Sequence, residues 1–383
     1  MSKHPAGASG PVKLAGMDHD WLLVETLGDE PAIVAQGSRT KNLVPISTFL
    51  RRNPHLMAIQ SAIGETLRAG QALTSITPKN DRVIRTEVVH MSDGVIHGVH
   101  LWIGEPGADP PDRPVPGPLK WDLTAGIATD TAESLYNAGR DASVEATQGR
   151  AFAEDLPARA LNPNESKVLS MVIRAKPGHV LCSTWNVTDF RGEPITVGFV
   201  ARAISEEQDD GSERLICRAM NWRSLVEGPV VRPDDLAQRI LNGLAAPGVH
   251  RAIVDLNHWR LLKWLDKPCP FFDWRAGEQG ETVLHPGDER HVLAMAQEFV
   301  DGPTARVLRL PAHGGGFTPI HVTVNRIELD DDTYAALMSM RLPTDEEIAA
   351  AEQEATAVEG AQSGTRAALK SLLRLRKITG QTD

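Results

Sequence analysis

Three stretches of the chain repeat one pattern, and that repeat limits the possible folds more than any single residue does. RNPHLMAIQSAIGETLRAGQ (52–71), LNPNESKVLSMVIRAKPGH (161–179) and VLHPGDERHVLAMAQEFVDG (283–302) each place Asn or His before a proline, then an apolar helical pattern, then a glycine. The spans are 16 residues from Pro54 to Gly70, 15 from Pro163 to Gly178 and 16 from Pro286 to Gly302. A residue before proline is held extended, and proline suits the first helical position, so each stretch predicts a helix with a hard start and a glycine stop.

What surrounds the three helices repeats too. Upstream lies a strand pair with a turn-forming break: WLLVETLGDEPAIVAQG, LKWDLTAGIATDT and HRAIVDLNHWRLLKWLD. Downstream lie three strand-like runs: 72–77, 82–91 and 95–104 in the first copy; 180–186, 194–205 and 213–223 in the second; 305–310, 317–329 and 333–342 in the third. SDG, EEQDDG and DDD supply the last turn of each copy. The order strand, strand, helical region, strand, strand, strand therefore occurs three times, which predicts an α+β chain of three tandem domains, each an antiparallel sheet with helices packed on it.

Length agrees, since 383 residues allow two to four domains. The reading divides the chain into a polar tail (1–17), domain 1 (18–108), a stiff Pro-rich linker (109–117), domain 2 (118–228), a short linker (229–236), domain 3 (237–343) and a helical or disordered tail (344–383). No apolar run is long enough to span a bilayer and no cleavable leader is apparent, so a soluble, cytoplasmic protein is expected. Cys182, Cys217 and Cys269 are scattered and form no CxxC pair, which argues against a disulfide framework or a structural zinc site. A net charge of -10 and the lack of a groove-reading motif disfavour nucleic acid as a partner.

His285, Asp288 and His291 stand within seven residues and suggest a metal site at first sight. On a helix, however, His285 and His291 lie about 120° apart and address different faces. The better reading is a well-started helix, with acidic residues at its positive end and burial through Val292, Leu293, Ala296 and Phe299. AHGGGF (312–317) lacks the Lys and Ser/Thr of a phosphate loop and the nucleophile of an esterase, and reads as a glycine hairpin turn. No P-loop, HExxH, GxSxG or kinase motif set is present, so an enzyme is not expected.

The third repeat, with LHPGDERHVLAMAQEF, ARVLRLPAHGGGFTPIHVTVNRIEL and DDTYAALMSMRLP, resembles the PAS fold, where HP followed by acidic residues commonly opens the last helix. The first two repeats fit the related GAF fold equally well; the preferred order is PAS, GAF, PAS. Through GPLKWDLTAGIATDT, AFAEDLPARALNPNESK and CSTWNVTDFRGEPITVGFVAR the whole chain, from about Asp18 to Pro343, is similar to the triple sensor-domain proteins of mycobacteria and related actinobacteria, with fused PAS/GAF-like domains. That resemblance implies signal sensing or regulation through a bound small molecule or a signalling partner. No output domain is recognisable.

Neither of the cofactors such modules carry is expected. A flavin module needs an Asn-Cys-Arg run, whereas Cys269 sits between prolines; haem would need a proximal His, for which His179, His258, His285 and His291 are only formal candidates. The ligand-pocket candidates are instead Trp259, Trp264, Phe271, Phe272 and Trp274, concentrated in HWRLLKWLDKPCPFFDW (258–274), together with His285. Plain core burial is the competing account of these aromatics. The basic amphipathic stretch 365–377 is a candidate contact for a partner protein or a membrane surface. An interaction scaffold without a pocket, and an enzyme with no linear motif, remain the alternatives.

Overall fold

The computed structural model describes residues 20–156, 164–208, 211–225, 235–255, 260–276, 284–330 and 332–359. They divide into two units, which meet at Val115–Pro116.

The first unit holds β1 (Leu22–Glu25), β2 (Ala32–Gln36), β3 (Arg39–Pro45), α1 (Ile46–Phe49), α2 (Leu56–Ala69), β4 (Leu73–Ile76), β5 (Val83–His90) and β6 (Ile96–Gly104). The antiparallel sheet runs β3-β2-β1-β6-β5-β4. α2 buries Ile59, Ala62, Ile63 and Thr66, one stripe at helical spacing, and ends at Gly70 in the left-handed conformation. The stripe packs on Leu22, Val24, Ile33, Val99 and Leu101 of the sheet. β3 is an element the sequence does not announce: RTKNLVP has no clean alternation, and its half-exposed backbone pairs at the sheet edge. Part of the predicted linker lies on this unit, where the Trp21 indole donates to the Pro111 carbonyl at 2.9 Å.

The second unit carries two sheets. One comprises β7 (Gly117–Asp122), β8 (Ile127–Thr129), β9 (Arg150–Ala151), β10 (Val180–Thr188), β11 (Pro194–Glu207) and β12 (Glu213–Ser224), with α3 (Ala132–Asn137), α4 (Phe152–Asp155) and α5 (Glu165–Arg174) inserted. Its order is β10-β11-β12-β7-β8-β9. The other follows α6 (Asp235–Gly243) and comprises β13 (His250–Asp255), β14 (Arg260–Trp264), β15 (Thr304–Pro311), β16 (Phe317–Asp330) and β17 (Thr333–Arg341), with α7 (Glu289–Glu298) before β15 and α8 (Asp345–Glu359) after β17. Its order is β14-β13-β17-β16-β15. When the five expected strands of each copy are numbered along the chain, all three sheets run 2-1-5-4-3. The first two add a further edge strand beside the second.

Several boundaries differ from the sequence reading. Gly117 opens β7 rather than closing the linker. α5 ends at Arg174, before Gly178, because Pro177 keeps Lys176 out of the helical region. α7 ends at Glu298, and its buried residues are Val292 and Met295, continued by Phe299; Leu293 and Ala296 are only half-buried. The AHGGGF segment is the expected hairpin turn, with Gly314, Gly315 and Gly316 all at positive φ. The linker 229–236 lies mostly outside the described residues, and 365–377 lies wholly outside them.

The two sheets of the second unit share one hydrophobic cluster. Phe152 of α4 and Val168, Leu169 and Val172 of α5 join Trp121, Phe199 and Ala219 of the middle sheet to Ile253, Leu262 and Ala335 of the third. The other face of the third sheet has its own core, built from Ala252, Val254, Ile320, Val322 and Met340 beneath Val292, Met295 and Phe299.

Candidate ligand site in the third domain

A β-bulge decides what each face of β14 carries. Ala252 pairs with Trp264, Ile253 with Lys263 and Val254 with Leu261, so Leu262 is an extra residue and the alternation slips there. Leu261 and Trp264 consequently pack into the core beneath α7, while Leu262 joins the core shared with the middle domain.

The aromatic segment gathers on the α7 side. Trp264, 4 % exposed, meets Trp274 edge to face at 5.4 Å, and Trp274 meets His313 of the glycine turn at 5.8 Å. Phe271, Phe272, Trp274 and Leu284 all pack on the same core, and Phe271 also meets His250. The loop is pinned by the Asp273 amide, which donates to the Pro311 carbonyl at 2.8 Å. Indole N–H groups almost always find an acceptor when buried. Here the Nε1 atoms of Trp264 and Trp274 are both buried and have no hydrogen-bond partner. Trp259, and with it His258, lies outside the described residues.

The three polar residues of the HPGDERH run have separate tasks. His285 Nδ1 accepts from the Gly287 amide at 3.1 Å, capping the helical turn at 286–288, and its ring meets Phe317 at 5.0 Å. Asp288 is buried and clamps Arg309, accepting from its backbone amide at 2.7 Å and from its guanidinium at 2.6 Å. His291 accepts from Arg290 Nε at 3.4 Å. His179 is exposed on the turn into β10, and burial pushes the Cys269 thiol up. No cluster of three or more His, Cys, Asp or Glu that could hold a metal occurs among the described residues.

The segment bearing the tryptophans is also tied to the middle domain. Arg260 donates to the carbonyls of Leu123 and, at 2.9 Å, Thr124. Lys263 forms a buried ion pair with Glu165, the first residue of α5, where the helix dipole also favours an acid. Arg275, next to Trp274, pairs with Glu154 of α4 at 2.5 Å. Behind Glu154 stands a buried charge cluster. Arg150 pairs with Asp130 at 2.5 Å and Asp155 at 3.0 Å, while Trp121 Nε1 donates to Asp155 and Ser134 to Asp130. Burial, then the neighbouring Asp155 carboxylate, pushes the Asp130 carboxyl up to about 7. Sequence reasoning identified the tryptophans but not these ties, whose partners are separated by 98 residues for Lys263 and 121 for Arg275.

The geometry defines an α+β protein of three tandem domains built on one repeated sheet order. The chain belongs to the Rv3651-like family: the family's N-terminal, middle and C-terminal domains match residues 20–112, 115–224 and 234–351. It is similar to an uncharacterised protein from Mycobacterium tuberculosis of known crystal structure, at 60 % identity and a TM-score of 0.80 over 87 % of this chain and 99 % of that one. A structure of an RNA-binding light-oxygen-voltage receptor matches at 9 % identity and a TM-score of 0.22, over 64 % of this chain and 100 % of that one. No curated protein matches.

Proposed function

We propose that the chain is a cytoplasmic signal-sensing or regulatory protein of PAS/GAF-like modules, which binds a small molecule in its third domain and passes occupancy to the middle domain without catalysing a reaction. One observation carries the reading. The short segment 260–276 holds both tryptophans with unmet N–H donors and, within the same residues, Arg260, Lys263 and Arg275, which grip the middle domain. A ligand that repositions Trp264 acts on the neighbour of the lysine holding α5, and one that repositions Trp274 acts on the neighbour of the arginine holding α4. A binding event with different affinity for two domain packings shifts the balance between them. The repeated 2-1-5-4-3 sheets support the modular part of the reading.

The test is native mass spectrometry of gently purified full chain against its denatured mass, followed by hydrogen exchange. The expected result is a non-covalently bound species that is lost in a Trp264→Phe/Trp274→Phe variant, and whose removal changes exchange in α4 and α5. A clean unliganded mass from every preparation, with no small molecule altering exchange there, would overturn the reading in favour of an interaction scaffold.

A further inference from the structure

The chemistry of the site narrows what it can take. Resting on the ligand-binding reading above, we infer that the third-domain site selects a neutral, largely apolar molecule carrying a hydrogen-bond acceptor, such as a ring ketone, whose oxygen is received by the indole N–H of Trp264 or Trp274.

An indole nitrogen is a donor only, so whatever satisfies it must accept. Leaving such a donor buried and unmet costs roughly 1–3 kcal/mol, and the site does so with both Trp264 and Trp274. The surroundings are hydrocarbon and aromatic: Leu261, Phe271, Phe272, Leu284, Met295 and Leu310 pack on the same core. Among the described residues, the charges of this region are committed elsewhere. Lys263 is paired with Glu165, Arg275 with Glu154, and Asp288 with Arg309, while Asp273 stands 3.7 Å from His313. A carboxylate or phosphate entering this core would have to take a cation from one of those pairs, and an ammonium would have to take a carboxylate. A pure hydrocarbon would fill space and leave the donors unmet. A neutral acceptor-bearing ligand meets both conditions, and a site built around a buried donor discriminates strongly against the analogue that lacks the acceptor.

The experiment compares three probes on the full chain: 1-indanone, indane, and indane-1-carboxylate. Indane has the same bicyclic skeleton without the ketone. Binding is followed by the indole ¹H–¹⁵N resonances, assigned with Trp264→Phe and Trp274→Phe. We expect 1-indanone to move the Trp264 or Trp274 signal and to bind at least roughly tenfold more tightly than indane, the worth of one well-made hydrogen bond in a buried site. That gap closes in whichever variant removes the donor. Equal affinity for 1-indanone and indane would overturn the acceptor claim while leaving the ligand site standing, and tightest binding of the carboxylate would overturn the claim of neutrality. Failure of all three to move either signal at millimolar concentration would remove the ligand site itself. The affinity ranking of the three probes is measured on the unaltered chain, so that ranking does not depend on the variants folding.

Discussion

Lys263 of β14 and Glu165 at the start of α5 form an ion pair in the joint core of the middle and third domains, with side chains only 2 % and 5 % exposed. Removing one partner from such a pair leaves an uncompensated buried charge, at a cost of about 3–5 kcal/mol, whereas replacing both by apolar residues can be neutral. Lys263→Met and Glu165→Leu should each lower stability strongly, and the double variant should recover most of the loss. Urea unfolding of the full chain followed by tryptophan fluorescence reports this. Additive losses in the double variant would show that the two side chains act independently.

Gly117 tests the packing of the middle domain. A β-carbon added there would sit 2.2 Å from the Ser134 amide nitrogen and 2.3 Å from its α-carbon, both backbone atoms of α3. That amide is held by the Thr131 side chain at 3.1 Å, while Ser134 Oγ accepts from the Thr131 amide at 3.0 Å, so the start of α3 cannot simply retreat. Gly117→Ala should cost about 1–3 kcal/mol, as overpacking does. A thermal midpoint equal to that of the unaltered chain would show that α3 gives way freely.

How far the sequence spoke depends on how local each signal was. The strand pairs, the glycine hairpin at 312–316 and α2 follow from residues within one element, where periodicity and turn chemistry act directly. β3 and the two-residue β9 are edge strands whose sequences lack alternation, so only their neighbours give them away. The candidate site was half legible. Trp264, Phe271, Phe272 and Trp274 stood out by their density and share one core, while the sequence did not show that His285 caps the turn at 286–288. The bulge at Leu262, the pairing of Lys263 with Glu165 and the unmet indole donors are products of tertiary packing. Glu165 reads locally as an ordinary acid at a helix start, and nothing near it names a lysine 98 residues away.

His100 of β6 is 2 % exposed, and its Nδ1 has no hydrogen-bond partner. Burial, then the positive charge of Arg113, holds its pKa down at about 3 against an ordinary 6.5. The unfolded chain therefore takes up a proton near pH 6.5 that the folded chain refuses. The stability contributed is present above that value and is lost as pH falls below it, by about 2 kcal/mol between pH 7 and pH 5. His100→Gln should flatten this slope in the first unit, measured as the pH dependence of the urea midpoint. An unchanged slope would mean that His100 protonates without unfolding.

Asp130 should show the opposite sign. Its folded pKa is raised to about 7, by burial and then by Asp155, above the ordinary 3.8, so between these values the folded chain holds a proton that the unfolded chain has lost. Stability contributed by this group is full below about pH 4 and declines as pH rises towards 7, where the carboxylate is forced to ionise beside Asp155, with Arg150 paired to both. Asp130→Asn removes the titrating group, keeps one oxygen to accept from Arg150 and turns its amide group towards the Ser134 hydroxyl, and leaves Arg150 paired with Asp155. The difference in urea midpoint between variant and unaltered chain should therefore move in the variant's favour from pH 5 to pH 8. A difference that stays constant across that range would show that Asp130 is ionised throughout, with Arg150 and Ser134 outweighing burial.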